Sequence, residues 1–157
     1  MFSLYHMFRK HNYLLDSDKL DDTDKAAFRE YEQGLFHDEE DKVEKSISVL
    51  CELLYKHCGV LPYILLDEYD TPLLEAYTDG YWEEMISICR RLFHGTFKEN
   101  GFYSRAIITG VTRVSKNSLF SDLNNIGVYT VTDDEYSDCF GFTEEEVMDA
   151  LKCQNID

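Results

Sequence analysis

Basic residues are scarce in this sequence: Lys and Arg number 15 against 31 Asp and Glu, which gives a formal net charge of −16. Surfaces that bind nucleic-acid phosphates need clustered Lys and Arg. Here the basic residues gather only in short groups such as Arg90-Arg91. The composition therefore argues against direct nucleic-acid binding. It favours small ligands that carry a bound cation, or basic protein surfaces, as partners.

Long apolar runs and paired cysteine motifs are also missing. No stretch approaches the ~20 apolar residues of a membrane span, and the opening "MFSLYHMFRKHNYLL" is too polar for a signal peptide. The five cysteines are odd in number, widely spaced, and show neither CxxC nor Cys/His ligand spacing. These absences predict a cytoplasmic protein with reduced thiols and no zinc site, disulfide framework or membrane segment.

The stretch "DSDKLDDTD" (16–24) has the acidic density of a calcium loop. An EF-hand also needs a central Gly and a Glu at its twelfth position, and neither is present from any starting Asp. We interpret the stretch as a solvated loop or the entrance to a helix.

Apolar residues at helical spacing predict two amphipathic helices, one over residues 38–58 and one over 81–98. Gly59 follows the first and is a natural C-terminal stop. Thr143 and Glu146 have the spacing of a capping box, which predicts a last helix through about residue 152.

Short apolar runs separate these helices. "YILL" (63–66) and "RAIITGV" (105–111) are predicted strands buried on both faces, and "GVYTV" (127–131) is expected to be a third. Alternation of helices and buried strands predicts an α/β fold with a mostly parallel sheet flanked by helices. In such sheets ligands bind at the carboxyl ends of the strands. Both polar clusters of interest, 67–70 and 109–113, follow a predicted strand.

The first cluster resembles the acidic strand tip of nucleotide hydrolases, the Walker B motif. Asp67 would hold a Mg²⁺ that bridges the β- and γ-phosphates, directly or through water. Glu68 would orient or deprotonate the attacking water, and Asp70 is assigned with Asp67 to cofactor binding. The alternative is a solvated turn that caps the helix after Pro72.

The second cluster follows the next strand. Thr109 ends that strand, where a polar sensor would hydrogen-bond the γ-phosphate or the attacking water. Arg113 lies just beyond and would stabilise the transferring charge bidentately. The alternatives are a strand residue satisfied by backbone for Thr109 and a surface ion pair for Arg113.

Four separated motifs occur in order: "LLDEYDTPL", "ITGVTRVSKNSLFSDLNN", "VYTV" and "FGFTEEEV". Together they resemble the predicted AAA-ATPase-like family, bacterial proteins with a P-loop ATPase domain that is often followed by a nuclease-like domain of the PD-(D/E)XK type. The resemblance is clear over about residues 45–150. It implies Mg²⁺ and ATP as cofactors and ATP hydrolysis as the activity.

The resemblance also implies a role for individual positions. Asp67 and Glu68 fall on the family's acidic strand tip, Thr109 on its sensor strand and Arg113 on the arginine that follows. The paired asparagines Asn124 and Asn125 also match, without a role that we can derive. "CFGFTEEEV" (139–147) matches the end of the ATPase core, where a helical lid begins.

The sequence departs from the family in one major respect, because it contains no GxxxxGK[ST] phosphate-binding loop. We therefore expect a single partial domain over 1–157, with a poorly matched segment (1–37), a core with the Walker B and sensor strands (38–143) and the start of a lid helix (144–157). We expect such a fragment to be inactive alone. The alternative is a non-catalytic remnant or protein-interaction module. A metal-dependent nuclease is a third, weaker alternative.

Loss of the P-loop strand, which normally lies centrally in the sheet, would expose strand edges and apolar faces. We expect residues 1–36 or self-association to cover this gap. A further possibility is a second chain that supplies the P-loop half.

Overall fold

The computed structural model describes residues 2–37, 39–112, 119–120, 123, 126–136, 139 and 141–154. The chain forms two compact units, 1–124 and 125–157. The elements in chain order are α1 (Phe2–Lys10), a 3₁₀ turn (Asn12–Asp16), α2 (Asp22–Phe36), α3 (Glu40–Cys58), β1 (Tyr63–Leu66), α4 (Thr71–Asp79), α5 (Trp82–Phe93), a π-helical turn (His94–Lys98), β2 (Arg105–Ile108) and α6 (Glu144–Cys153). The fold is thus mixed, with helices and a small parallel sheet, which is compatible with the predicted α/β class.

The boundaries of α2 and α3 follow from local capping. The Asp21 side chain accepts a hydrogen bond from the Asp24 N–H at 2.8 Å, which makes the acidic stretch a helix entrance. Helix α3 ends at Gly59, whose φ of 75° is the left-handed conformation that glycine adopts without a steric penalty. Both the helix predicted over 38–58 and its stop are confirmed over 40–58.

The first hydrophobic core lies among α1, α2 and α3. Its buried members include Phe8, Phe28 and Leu50, and the rings of Phe8 and Phe28 lie 5.3 Å apart. Leu4, Tyr5 and Leu15 also pack here and not on the sheet. The expectation that residues 1–36 cover an exposed sheet face is therefore wrong, because their apolar side chains are needed to pack against α3.

The second core lies under α4 and α5. Leu73, Ile86 and Phe93 are buried in it together with Leu119, and Leu66 and Tyr69 pack against it from the strand side. Helix α5 ends at Phe93 and the π-helical turn completes the segment to Lys98. The helix predicted over 81–98 is thus confirmed from Trp82 to Lys98, although its last turn is not α-helical.

The sheet has two parallel strands in register, with Tyr63 opposite Arg105 and Leu66 opposite Ile108. Tyr63, Leu65 and Ile107 are 66%, 75% and 58% exposed. The prediction of strands buried on both faces is therefore wrong: exposed and half-buried residues alternate along each strand, so one face of the sheet is open to solvent. Strand β2 ends at 108, short of the predicted 111.

The C-terminal unit contains α6. Thr143 caps it: the Thr143 hydroxyl accepts from the Glu146 N–H and the Glu146 carboxylate accepts from the Thr143 N–H, so the predicted capping box is confirmed. None of the ten residues of α6 is buried. The strand expected over 127–131 is wrong: residues 127–130 have no regular structure. A strand needs a partner to satisfy its backbone groups, and the described sheet contains only β1 and β2.

Among the described helices, none is both long enough and apolar enough to pass through a lipid bilayer.

Candidate functional site

The site is built where β1 and β2 end at the same edge of the sheet. Beyond the last paired residues the ladder continues for one more step, because the Thr109 N–H donates to the Leu66 carbonyl at 2.8 Å and the Tyr69 N–H donates to the Thr109 carbonyl at 3.1 Å. These two bonds hold the segment after β1 beside the segment after β2. The polar residues that follow each strand are therefore neighbours, as parallel pairing requires.

Asp67 and Thr109 are in direct contact. The Thr109 hydroxyl donates to Asp67 Oδ1, and the Glu68 N–H donates to the same oxygen at 3.0 Å. Within the described part of the chain, no donor reaches the second carboxylate oxygen, and the Asp67 side chain is exposed. One oxygen thus fixes the orientation of the carboxylate, while the other accepts no hydrogen bond from the described residues.

Glu68 occupies a strained backbone conformation. Its φ is 52°, in the left-handed region, which costs a non-glycine residue about 1–2 kcal/mol. The Glu68 carbonyl accepts from the Thr71 N–H at 3.1 Å, which turns the chain from β1 into α4. Its side chain is exposed. Backbone outliers of this kind concentrate at functional sites.

Asp70 has a different environment from the other two acids. It is only 1% exposed, and its Oδ2 accepts from the Thr112 N–H at 2.5 Å and from the Thr112 hydroxyl at 2.6 Å. Burial acts to raise the pKa of this carboxyl, but the bonds from Thr112 and from the N–H groups of Asp70 and Val111 outweigh it, so the pKa lies below its usual value. Asp70 is therefore charged and turned into the fold. Its assignment to cofactor binding stays a prediction.

Tyr69 and Gly110 close the space between the two segments. The Tyr69 hydroxyl donates to the Thr112 carbonyl at 2.9 Å, and its ring meets Phe120 edge-on at 5.4 Å. A Cβ on Gly110 would lie 2.6 Å from Tyr69 Cε1 and 2.7 Å from Asp70 Oδ1. Only glycine fits at this position without displacement of a neighbour.

Sequence reasoning missed the parts played by Tyr69 and Thr112. Both belong to motifs that were singled out for their acids and for Thr109. The signal that pointed to them was weak: a tyrosine between two acids and a threonine two residues after a glycine are common in turns. The pairing of Asp70 with Thr112 spans 42 positions and depends on strand register.

Arg113, Asn124 and Asn125 lie outside the described residues. Among the residues that the structure does describe, no group of three or more His, Cys, Asp or Glu side chains could hold a metal ion. Mg²⁺ is commonly held by one or two carboxylates, with waters and substrate phosphates as the remaining ligands.

The chain is similar to known proteins over most of its length. A model of the family described as Predicted AAA-ATPase matches residues 4–120, a range that includes the N-terminal segment and ends ahead of "VYTV" and "FGFTEEEV". Over 85 residues the chain is 38% identical to a protein of Azotobacter chroococcum mcd 1 described as "Uncharacterized protein in vnfD 5'region". That alignment covers 54% of this chain and 16% of the relative, so the chain matches about a sixth of that protein's length. No solved structure matches the chain.

The family match covers the strand ends that carry Asp67, Glu68, Asp70 and Thr109, and it spans residues 4–120 of 157, well over half of the sequence. The chain belongs to the Predicted AAA-ATPase family.

Proposed function

We propose that this chain contributes the acidic and polar edge of a magnesium–nucleotide site, with Asp67 toward the metal ion and Thr109 toward the terminal phosphate or the attacking water. The observation that supports this proposal is the hydrogen bond between the Thr109 hydroxyl and Asp67, at the carboxyl ends of two paired parallel strands. Membership of an ATPase-like family supports ATP hydrolysis as the chemistry of the complete site.

Asp67 and Glu68 have different roles in this proposal. Two donors hold Asp67 through one oxygen, and its second oxygen accepts no hydrogen bond from the described residues, which suits a metal ligand. Glu68 is exposed, and its side chain makes no hydrogen bond to the described residues, which suits a base that orients or deprotonates water. A bound Mg²⁺ would supply positive charge at the phosphate oxygens. Arg113, at its place in the sequence, would add a bidentate contact to the transferring phosphoryl group.

These 157 residues supply one edge of the site but contain no GxxxxGK[ST] loop to bind the phosphates. The backbone N–H groups and lysine of a GxxxxGK[ST] loop are the main anchors for β- and γ-phosphates. We therefore propose that the chain, as a bacterial cytoplasmic protein, does not hydrolyse ATP by itself. The P-loop half would come from another segment or from a second chain, and the residues from 144 onward would begin a helical lid.

Calorimetric titration with Mg-ATP, together with a phosphate-release assay, tests the need for a P-loop. The 157-residue chain is expected to show no hydrolysis, and to bind Mg-ATP too weakly to saturate in the titration. Asp67→Asn serves as the site variant, and Asp79→Asn, an exposed acid at the end of α4, is the matched control. Hydrolysis by the isolated chain would contradict the need for a P-loop. Hydrolysis that Asp67→Asn leaves unchanged would contradict the site as well.

A second candidate function is a non-catalytic interaction module, and one observation favours it. The open face of the sheet presents Tyr63, Leu65 and Ile107 to solvent, each more than half exposed. Apolar sheet faces of this kind are commonly covered by a partner, and the free strand edges beside them are sites of strand addition. Self-association, or docking of the chain that carries the P-loop half, would cover this face.

Size-exclusion chromatography with light scattering tests self-association. If copies pair through the open face, the wild-type chain is a dimer or larger, and Leu65→Ser with Ile107→Ser gives a monomer. A matched control is Tyr77→Ser, which removes an equally exposed apolar residue from α4. A wild-type chain that is monomeric at all concentrations would exclude self-association and leave a different partner as the occupant.

A further inference from the structure

Asp70 is buried without an evident part in the proposed chemistry. It is the one charged side chain among the described residues that is fully buried. An ionised carboxylate is costly to bury unless several hydrogen bonds replace its water. Here the Thr112 N–H and hydroxyl supply two of these bonds. The protein thus keeps a buried charge three residues after Asp67, although a neutral side chain would cost less free energy to bury there.

The partners of Asp70 join two parts of the chain. The Asp70 carbonyl accepts from the Leu73 and Leu74 N–H groups at 3.1 and 2.9 Å and so begins α4. Its carboxylate faces the turn after β2, where Gly110 approaches Oδ1 too closely to carry a Cβ. One residue therefore links the start of α4 to the turn that follows Thr109.

Tyr69 strengthens the same link. Its hydroxyl donates to the Thr112 carbonyl, so Thr112 is held through its N–H, its hydroxyl and its carbonyl by two consecutive residues. With Thr112 held, the turn over 109–112 has little freedom to move away from β1. The rotamer of Thr109, which decides whether its hydroxyl reaches Asp67, depends on the backbone of this turn.

We infer that Asp70 is a positioning residue, which fixes the 109–112 turn to the start of α4 and thereby keeps the Thr109 hydroxyl on Asp67. Its consequence for catalysis rests on the proposed function, whereas the coupling itself is a property of the fold without any nucleotide. In this role Asp70 acts through Thr112, in place of the direct cofactor contact that the sequence predicts for it.

Solution NMR of the complete chain without metal or nucleotide tests the coupling. Asp70→Ala removes the acceptor, Thr112→Val removes only the donated hydroxyl, and Thr112→Ser keeps the hydroxyl as the matched control. The readouts are amide hydrogen exchange at Gly110 and Thr112 and the χ1 rotamer of Thr109. Loss of hydrogen bonds to a charged acceptor predicts roughly 10- to 100-fold faster exchange in Asp70→Ala and a smaller increase in Thr112→Val.

The χ1 rotamer of Thr109 shows whether Asp70 positions Thr109 or only stabilises the fold. If Asp70 positions Thr109, the Thr109 side chain averages over several rotamers in Asp70→Ala and in Thr112→Val, and keeps one rotamer in Thr112→Ser. Amide exchange in the α1–α3 core near Phe28 stays unchanged in all three variants. A single wild-type rotamer of Thr109 in a folded Asp70→Ala or Thr112→Val chain would overturn the inference. If Asp70→Ala does not fold, the Thr109 rotamer in Thr112→Val decides whether the inference holds. Because no ligand is present, these outcomes are independent of whether the site binds magnesium.

Discussion

Gly110→Ala is expected to disrupt the turn after β2 because the new methyl group has no space. The Cβ would lie 2.6 Å from Tyr69 Cε1, about 0.9 Å inside the ~3.5 Å at which carbon atoms make favourable contact. On its other side it would lie 2.7 Å from Asp70 Oδ1. Either Tyr69 or the turn must therefore move.

The size of the effect follows from what that movement breaks. Rotation of Tyr69 would remove its hydrogen bond to the Thr112 carbonyl and its edge-on contact with Phe120. Each is worth ~0.5–1.5 kcal/mol, and overpacking in general costs ~1–3 kcal/mol. We expect the free energy of unfolding to fall by ~2–3 kcal/mol, which for a chain of this size lowers Tm by roughly 4–12 °C.

Urea denaturation followed by far-UV circular dichroism measures this change. Gly101→Ala is the matched control, since a Cβ there meets no atom within 4 Å, and its stability should stay within ~0.5 kcal/mol of wild type. If Gly110→Ala is as stable as Gly101→Ala, the close approach of Tyr69, Asp70 and Gly110 is not present in solution and the reasoning about this turn fails.

Two further predictions concern capping and pH. Thr143→Ala removes the capping box of α6, so amide hydrogen exchange in the first turn of α6, measured by NMR, should become roughly fivefold faster. Exchange in α3 should not change. Unchanged exchange in α6 would contradict the role of Thr143 as a cap. The pKa of Asp70 is lower in the folded chain than its usual ~3.9, so its stabilising contribution is present above that value and is lost as the pH falls through the folded pKa. The stability difference between wild type and Asp70→Asn should therefore shrink when denaturation is repeated below about pH 4, and a constant difference would contradict a lowered pKa.

Elements whose causes are local were predictable from the sequence. The periodicity of α3, its stop at Gly59 and the capping box of α6 depend on residues within a few positions of one another, and all are confirmed. The contact between Asp67 and Thr109 was predictable for a different reason. Parallel strands end at one edge of a sheet, so residues that directly follow two paired strands must be neighbours.

Features that depend on distant partners were not predictable. "YILL" has the composition of a strand buried on both faces, but Tyr63 and Leu65 are exposed because no described element packs on that side. "GVYTV" has strand-forming residues, yet strand formation depends on a neighbouring strand more than on intrinsic preference. The buried position of Asp70 depends on Thr112, which the register of β1 and β2 brings to it from 42 positions away.

The most direct test of the central claim is paramagnetic relaxation by Mn²⁺, a stand-in for Mg²⁺, measured on the amides of the chain in the presence of ATP. If the strand ends form half of a magnesium–nucleotide site, the amides of Glu68, Thr109 and Gly110 broaden before those of the acidic stretch over 16–24. Asp67→Asn should abolish this broadening, and Asp79→Asn should not. Broadening that appears first over 16–24, or that persists unchanged at Thr109 in Asp67→Asn, would contradict the account.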